Sequence, residues 1–130
     1  VAALCVAAFL GAVNSEVDVS LALAGAILSM GGTALVVIAQ IQMGRAWRVG
    51  VRPGDAPLFV RDGLFRHSRN PIFLGMMVTG LGVALVEGAW WGWLAWLIFV
   101  AACVVQVRIE ERHLAASFGP EYEAFRRAVP

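Results

Sequence analysis

The chain has no lysine: all ten of its basic residues are arginine. Charge of either sign is scarce, at 15% of 130 residues. Six arginines lie between Arg45 and Arg69 and the other four between Arg108 and Arg127. The stretches between them are nearly uncharged and apolar, so nucleic acid is not an expected partner. Cysteine is equally sparse. Cys5 and Cys103 sit inside apolar runs with no CxxC spacing and no Cys/His cluster. That pattern indicates neither a disulfide framework nor a zinc site and favours two thiols acting as small hydrophobes. No internal repeat, low-complexity stretch or cleavable signal pattern stands out. The chain opens at Val1 within an apolar run and without methionine, an opening that a trimmed N-terminus would explain.

What is abundant is apolar surface. Sixty per cent of the residues are hydrophobic and the mean hydropathy is +0.77. A soluble domain of this size has too little interior to hide so much. Lipid is the alternative solvent. The expected fold is therefore an all-α integral membrane domain of about four transmembrane helices, occupying residues 1–130 as one unit. The segments are about 1–13, 20–43, 71–86 and 89–107, with a loop at 44–70 and a tail at 108–130. The first is too short to cross a core of about 30 Å at about 1.5 Å per residue. Either residues are missing before it or it does not span fully. Glu87-Gly88 is a tight connection that should make the last two spans an antiparallel hairpin. Trp90, Trp91, Trp93 and Trp96 fit an interfacial belt. Gly25 with Ser29, and Gly75 with Gly80 and Gly82, are small enough to let helices approach closely.

Orientation follows from the arginines. Loop and tail hold all ten and should face the cytoplasm, whereas the opposite side carries only Asn14, Ser15, Glu16, Asp18 and Glu87. A bacterial inner membrane is the expected location. Any chemistry should sit on the arginine-rich side.

Two stretches there carry candidate residues. In the loop, Pro53-Gly54-Asp55 and Asp62-Gly63 signal turns, with a short strand or membrane-surface segment at Leu58-Phe59-Val60 between them. Asn70-Pro71 reads as a helix start, an N-cap side chain followed by proline at the first position. Beside Arg66 and Arg69, that terminus could hold a carboxylate or phosphate, or be an ordinary capped end. In the tail, placing residues at 100° intervals puts Val107, Glu111, Leu114 and Phe118 on one narrow face, with Glu110 at its edge and Arg108 and Arg112 on a flank. A carboxylate in an apolar stripe is expensive without a partner. Glu111 should point inward, to a loop arginine or to a ligand. Phe118-Gly119-Pro120 should break the helix, with Gly119 in a left-handed cap. A short helix over 121–127 would then present Tyr122 and Phe125 together and fold the tail over the loop.

The tail EERHLAASFGPEYEAFRRAVP resembles that of the isoprenylcysteine carboxyl methyltransferase and phospholipid methyltransferase superfamily, EExxLxxxFGxEYxxYxxxVP. GLFRHSRNPIFLG is similar to its second motif, GxYxxxRHPxYxG, and MGRAWRVGV resembles the segment upstream in bacterial members. The two main motifs are separated by one apolar hairpin, as in the family, and together cover Gly63 to Pro130. The resemblance implies a helical membrane enzyme with S-adenosylmethionine held under the C-terminal tail. Arg69, Pro71 and Gly75 match the second motif. Arg108, Glu110, Glu111, Leu114, Phe118, Gly119, Tyr122 and Val129 match the third. Asn70, Phe73 and Phe125 depart from it, standing where the carboxyl methyltransferases have histidine, tyrosine and tyrosine. Those departures bear on a prenylcysteine substrate more than on the cofactor.

The chemistry assigns roles. A sulfonium favours carboxylates and aromatic faces, which Glu110 or Glu111 with Tyr122, Phe73 and Phe125 offer. The cofactor's own carboxylate would meet Arg69 and the Asn70-Pro71 helix start. Arg108 would orient an acceptor carboxylate or pair with a glutamate. An amine or hydroxyl acceptor would need a base, His67 or one of the glutamates. His113 falls on the polar face. The acceptor would be a lipidic or apolar small molecule entering from the bilayer. Two alternatives remain: an NADPH-dependent sterol-type reductase, whose C-terminal motifs are distantly similar, and a non-catalytic membrane scaffold whose glutamates and arginines form only structural pairs.

Overall fold

The computed structural model describes residues 18–44 and 60–130. The expectations for the first apolar segment and for the loop through Phe59 lie outside the described residues. Among the described residues all regular structure is helical: α1 (Val19–Met43), a 3-10 turn (Gly63–Arg66), α2 (Pro71–Glu87), α3 (Trp90–Phe118) and α4 (Pro120–Ala128). α1 and α3 are long and apolar enough to cross a membrane; α2, at 17 residues, is a shorter apolar helix. Its length of about 26 Å approaches the hydrocarbon thickness. α3 runs without interruption past Val107, so its last three turns project beyond the apolar stretch. Large residues such as Ile27, Met30, Ile41 and Ile98 are 63–74% exposed, a surface that suits lipid.

Capping sets the helix ends. The Asp18 carboxylate accepts from the backbone N–H groups of Ser20 (2.8 Å) and Leu21 (3.3 Å), so α1 starts one residue earlier than expected. Gly88 ends α2 in the left-handed conformation, φ 68° and ψ −10°, where a side chain would be disfavoured. Gly119 separates α3 from α4 at φ 52° and ψ −125°. This differs from the expected left-handed cap. The rotated ψ turns the chain sharply enough for Pro120 to start a new helix at once.

α2 is the central helix. One face packs antiparallel on α1 through glycine at both ends. A Cβ on Gly25 would stand 2.5 Å from the Gly82 carbonyl oxygen, and one on Gly32 would stand 2.6 Å from that of Gly75. Between them Ser29 Oγ donates to the Thr79 carbonyl at 3.3 Å. Thr33 and Thr79 bond back to their own helices, to the carbonyls of Ser29 and Gly75. Small residues seven apart on each helix bring the backbones together where lipid supplies no hydrophobic drive. Gly80, grouped with this seam by sequence, instead faces α3, where a Cβ would lie 3.1 Å from Trp96. Trp96 Nε1 donates to the Met77 carbonyl at 3.0 Å. That tryptophan pins α3 to the opposite face of α2 rather than serving only as an interfacial anchor, while Trp90 stays 76% exposed.

This topology brings the C-terminus of α1, the N-terminus of α2 and the projecting end of α3 to one end of the bundle. Asp18 and the Glu87-Gly88 turn lie at the other.

Candidate active site

The loop reaches its position because α1 holds it. Gln42, in the last turn of α1, accepts the backbone N–H of Leu64 at 2.7 Å. The 3-10 turn is thereby fixed with Phe65 buried beneath it. The chain then passes Ser68, whose hydroxyl accepts from the Asn70 backbone N–H at 3.3 Å, and enters α2 at the buried Pro71.

Asn70 and Arg69 converge on Glu111 of α3. An Arg69 guanidinium nitrogen lies 2.9 Å from Glu111 Oε1. Asn70 Nδ2 donates to the same oxygen at 3.3 Å. Both charged side chains are largely withdrawn from solvent, 25% exposed for Arg69 and 18% for Glu111. A shielded carboxylate with two donors is well satisfied. Arg69 Nε, in contrast, is buried with no hydrogen-bond partner among the described residues. Asn70 makes no side-chain cap bond to α2: its amide is spent on Glu111 across the site instead of on its own helix.

The tail covers this triad. α4 is amphipathic, and Tyr122, Phe125 and Val129 form a buried cluster against Leu114, Ala115 and Phe118 of α3. Leu114 and Phe118 share the helix face that carries Glu111, as their spacing predicts. The tail is tied down at both ends: Arg61 pairs with Glu121, and the Arg69 backbone N–H donates to the Pro130 carbonyl at 3.3 Å. Tyr122 is 1% exposed. Burial, with the Glu111 carboxylate adding to it, pushes its phenol above the usual tyrosine range. It therefore stays neutral, an aromatic wall and not a base.

The other candidates stand apart from the triad. His67 and Arg108 are exposed, and Phe73 and Glu110 half-buried; no side-chain hydrogen bond or ion pair joins them to it among the described residues. Gly75 is buried on the α1 side, where a Cβ would meet Val36 at 2.7 Å, so its missing side chain serves helix packing. Sequence reasoning did not find Gln42 or the Pro130 carbonyl. A signal existed for the first, since an amide near the end of an apolar helix has little reason to be there without a partner.

Together these features define a class: a helical protein with two helices long and apolar enough to cross a membrane and an arginine–glutamate site at one end, beneath its own tail. Residues 21–121 match the phospholipid methyltransferase family, and the chain belongs to that family. The match includes Arg69, Asn70 and Glu111 and stops just before Tyr122. The chain is also 27% identical over 95 residues to a protein-S-isoprenylcysteine O-methyltransferase of Schizosaccharomyces pombe, over 71% of this chain and 40% of that relative. It thus spans well under half of that protein's length. No solved structure matches it.

Proposed function

We propose that the chain is an integral membrane methyltransferase that uses S-adenosylmethionine to methylate a lipidic or apolar acceptor, of the isoprenylcysteine-carboxylate or phospholipid kind. The observation that carries the reading is the junction of Arg69, Asn70 and Glu111 beneath the tail, with one buried donor left over. The buried Arg69 Nε is a donor without an acceptor among the described residues, which suits a carboxylate. The largely shielded Glu111 carboxylate, held through Oε1, suits a cation. S-adenosylmethionine has both groups, and when bound it supplies a methyl group on a sulfonium.

The protein's part is to position and to exclude water. Arg69 and the start of α2 at Asn70-Pro71 hold the ligand carboxylate, with His67 at the rim. Glu111, with Glu110 beside it, sets negative charge near the sulfonium, and Tyr122, Phe73 and Phe125 give aromatic faces. Arg108, less than one turn before Glu111 on α3, meets an anionic group on the acceptor. A carboxylate acceptor arrives deprotonated and needs no base. An amine or hydroxyl acceptor gives its proton to His67 or to a glutamate. The arginine-bearing end faces the cytoplasm of a bacterial inner membrane, by the excess of arginine there.

The direct Arg69–Glu111 pair also favours a second reading, a structural latch with no ligand. Binding separates the two. S-adenosylmethionine should raise the thermal midpoint of the purified protein in detergent, NADPH should not, and membranes carrying the chain should transfer labelled methyl into the lipid extract. Stabilisation by NADPH alone would favour a reductase, and response to neither, with no label transferred, would leave the latch.

A further inference from the structure

Gln42 stands in the last turn of α1, and its carbonyl reaches 22 positions along the chain to the Leu64 backbone N–H, at 2.7 Å. The residue before Leu64 makes room for it. Gly63 takes a positive φ of 62°, and a Cβ there would stand 2.8 Å from Gln42 Nε2 and closer still to the amide carbon. The Leu64 peptide is held on its other side as well. Its carbonyl accepts the backbone N–H groups of His67 at 3.0 Å and Ser68 at 3.1 Å. The Ser68 hydroxyl accepts the Asn70 N–H at 3.3 Å, and Asn70 Nδ2 donates to Glu111 Oε1 at 3.3 Å. Four hydrogen bonds in series thus lead from the end of α1, through Leu64, Ser68 and Asn70, to the carboxylate on α3.

The first of these bonds governs the aim of the last. Asn70 makes no side-chain cap bond to α2, so its amide takes its direction from the loop backbone that carries it. Phe65, buried beneath the 3-10 turn, also anchors that loop. Burial of a ring is non-directional, however: it holds the turn down without orienting the peptide groups that follow. A hydrogen bond does orient them, because it weakens steeply when bent or stretched. The Asn70–Glu111 contact is already long at 3.3 Å, so a small rotation of the Leu64 peptide breaks it.

We propose that Gln42 is a positioning residue: acting through Leu64 and Ser68, it keeps Asn70 and Arg69 in register with Glu111 and so sets how tightly the site takes S-adenosylmethionine. The effect on the cofactor rests on the methyltransferase reading; the hold on Asn70 does not. The Gln42–Leu64 bond lies in an exposed position, where water replaces a lost partner at little cost to overall stability. Losing it should therefore disturb the aim of the site while the fold survives, which a residue serving only as a support would not do.

The full chain is compared in detergent as wild type, as Gln42→Met, which is of similar length and has no carbonyl, and as Gln42→Glu, which keeps an acceptor oxygen. Without ligand, the Asn70 side-chain amide is followed in nitrogen–proton correlation spectra and assigned by its absence from Asn70→Ser. Gln42→Met should move that resonance toward the position of a solvent-exposed asparagine, and Gln42→Glu should keep it near the wild-type position. The thermal midpoint of either variant should fall by a few degrees at most. In calorimetric titration Gln42→Met should bind S-adenosylmethionine about fivefold to tenfold more weakly, the change that one lost hydrogen bond brings, with Gln42→Glu within about twofold of wild type. An unmoved Asn70 resonance in Gln42→Met would overturn the proposal. So would failure of Gln42→Glu to restore the resonance, or wild-type affinity in Gln42→Met. Absence of binding by wild type would instead overturn the cofactor reading, and the Asn70 resonance would still decide the role of Gln42.

Discussion

The backbone N–H of Arg69 donates to the carbonyl of Pro130, so the residue whose guanidinium engages Glu111 also clasps the end of the tail. The Arg69–Glu111 pair and tail closure therefore share one residue. Val129, next to the clasp, is buried against Tyr122 and Phe125. Placing a carboxylate there buries a charge without a partner. Val129→Asp should remove roughly 2 kcal/mol or more of local stability, releasing α4 without unfolding α1–α3. Trypsin cleavage after Arg126 and Arg127 should then accelerate about tenfold or more, because cleavage follows the population of the opened segment. An unchanged digestion rate would mean that the tail is not held through this cluster.

The α1–α2 seam makes a sharper contrast, between adjacent glycines. A Cβ on Gly32 would meet backbone atoms of Gly75 and Thr79, both at 2.6 Å, whereas one on Gly31 meets nothing within 4 Å. Backbone cannot step aside as a side-chain tip can. Gly32→Ala should force the helices apart and cost about 2–4 kcal/mol, as overpacking of a tight contact does. Gly31→Ala should be neutral or stabilising by up to about 1 kcal/mol through helix propensity. Thermal midpoints of the two variants in one detergent check this, and equal midpoints would refute the glycine seam.

Much of this arrangement was legible because it follows from period and polarity. The apolar runs, the Glu87-Gly88 hairpin and the inward aim of Glu111 all follow from what a residue costs in the wrong solvent, which sequence records directly. The partner choice of Asn70 was not legible. An asparagine before a proline at a helix start has a local use as a cap, and nothing local reveals that a carboxylate 41 positions later will outbid it. The same limit applies to Gly80 and Gly32. A glycine advertises a close approach but not its partner, and only the packing of α2 between two helices assigned Gly80 to Trp96 and Gly32 to Gly75. The span count is less settled by pattern, since α2 is apolar yet short and its ends are fixed by Pro71 and Gly88.

Arg69 and Glu111 permit a test that separates a latch from a binding site. If the pair only holds the fold, Arg69→Gln and Glu111→Gln should each destabilise, the double variant should be little worse than either, and ligand affinity should follow stability. If both also face S-adenosylmethionine, affinity should fall about tenfold or more in each single variant even where the fold is intact, since a charge-assisted contact is worth roughly 1.5–3 kcal/mol. The double-mutant cycle for stability should give a coupling of about 0.5–3 kcal/mol. The cycle for affinity should not reproduce that value, because each residue loses a separate contact with the ligand. Tyr122 supplies the internal control: Tyr122→Phe keeps the buried packing and should bind within a few-fold of wild type, and Tyr122→Ala should lose stability by about 3–5 kcal/mol as other large-to-small aromatic changes do. Calorimetric titration with S-adenosylmethionine and thermal midpoints in the same detergent give both cycles. Affinity that merely tracks the midpoint across all five variants would remove the pair from the ligand site.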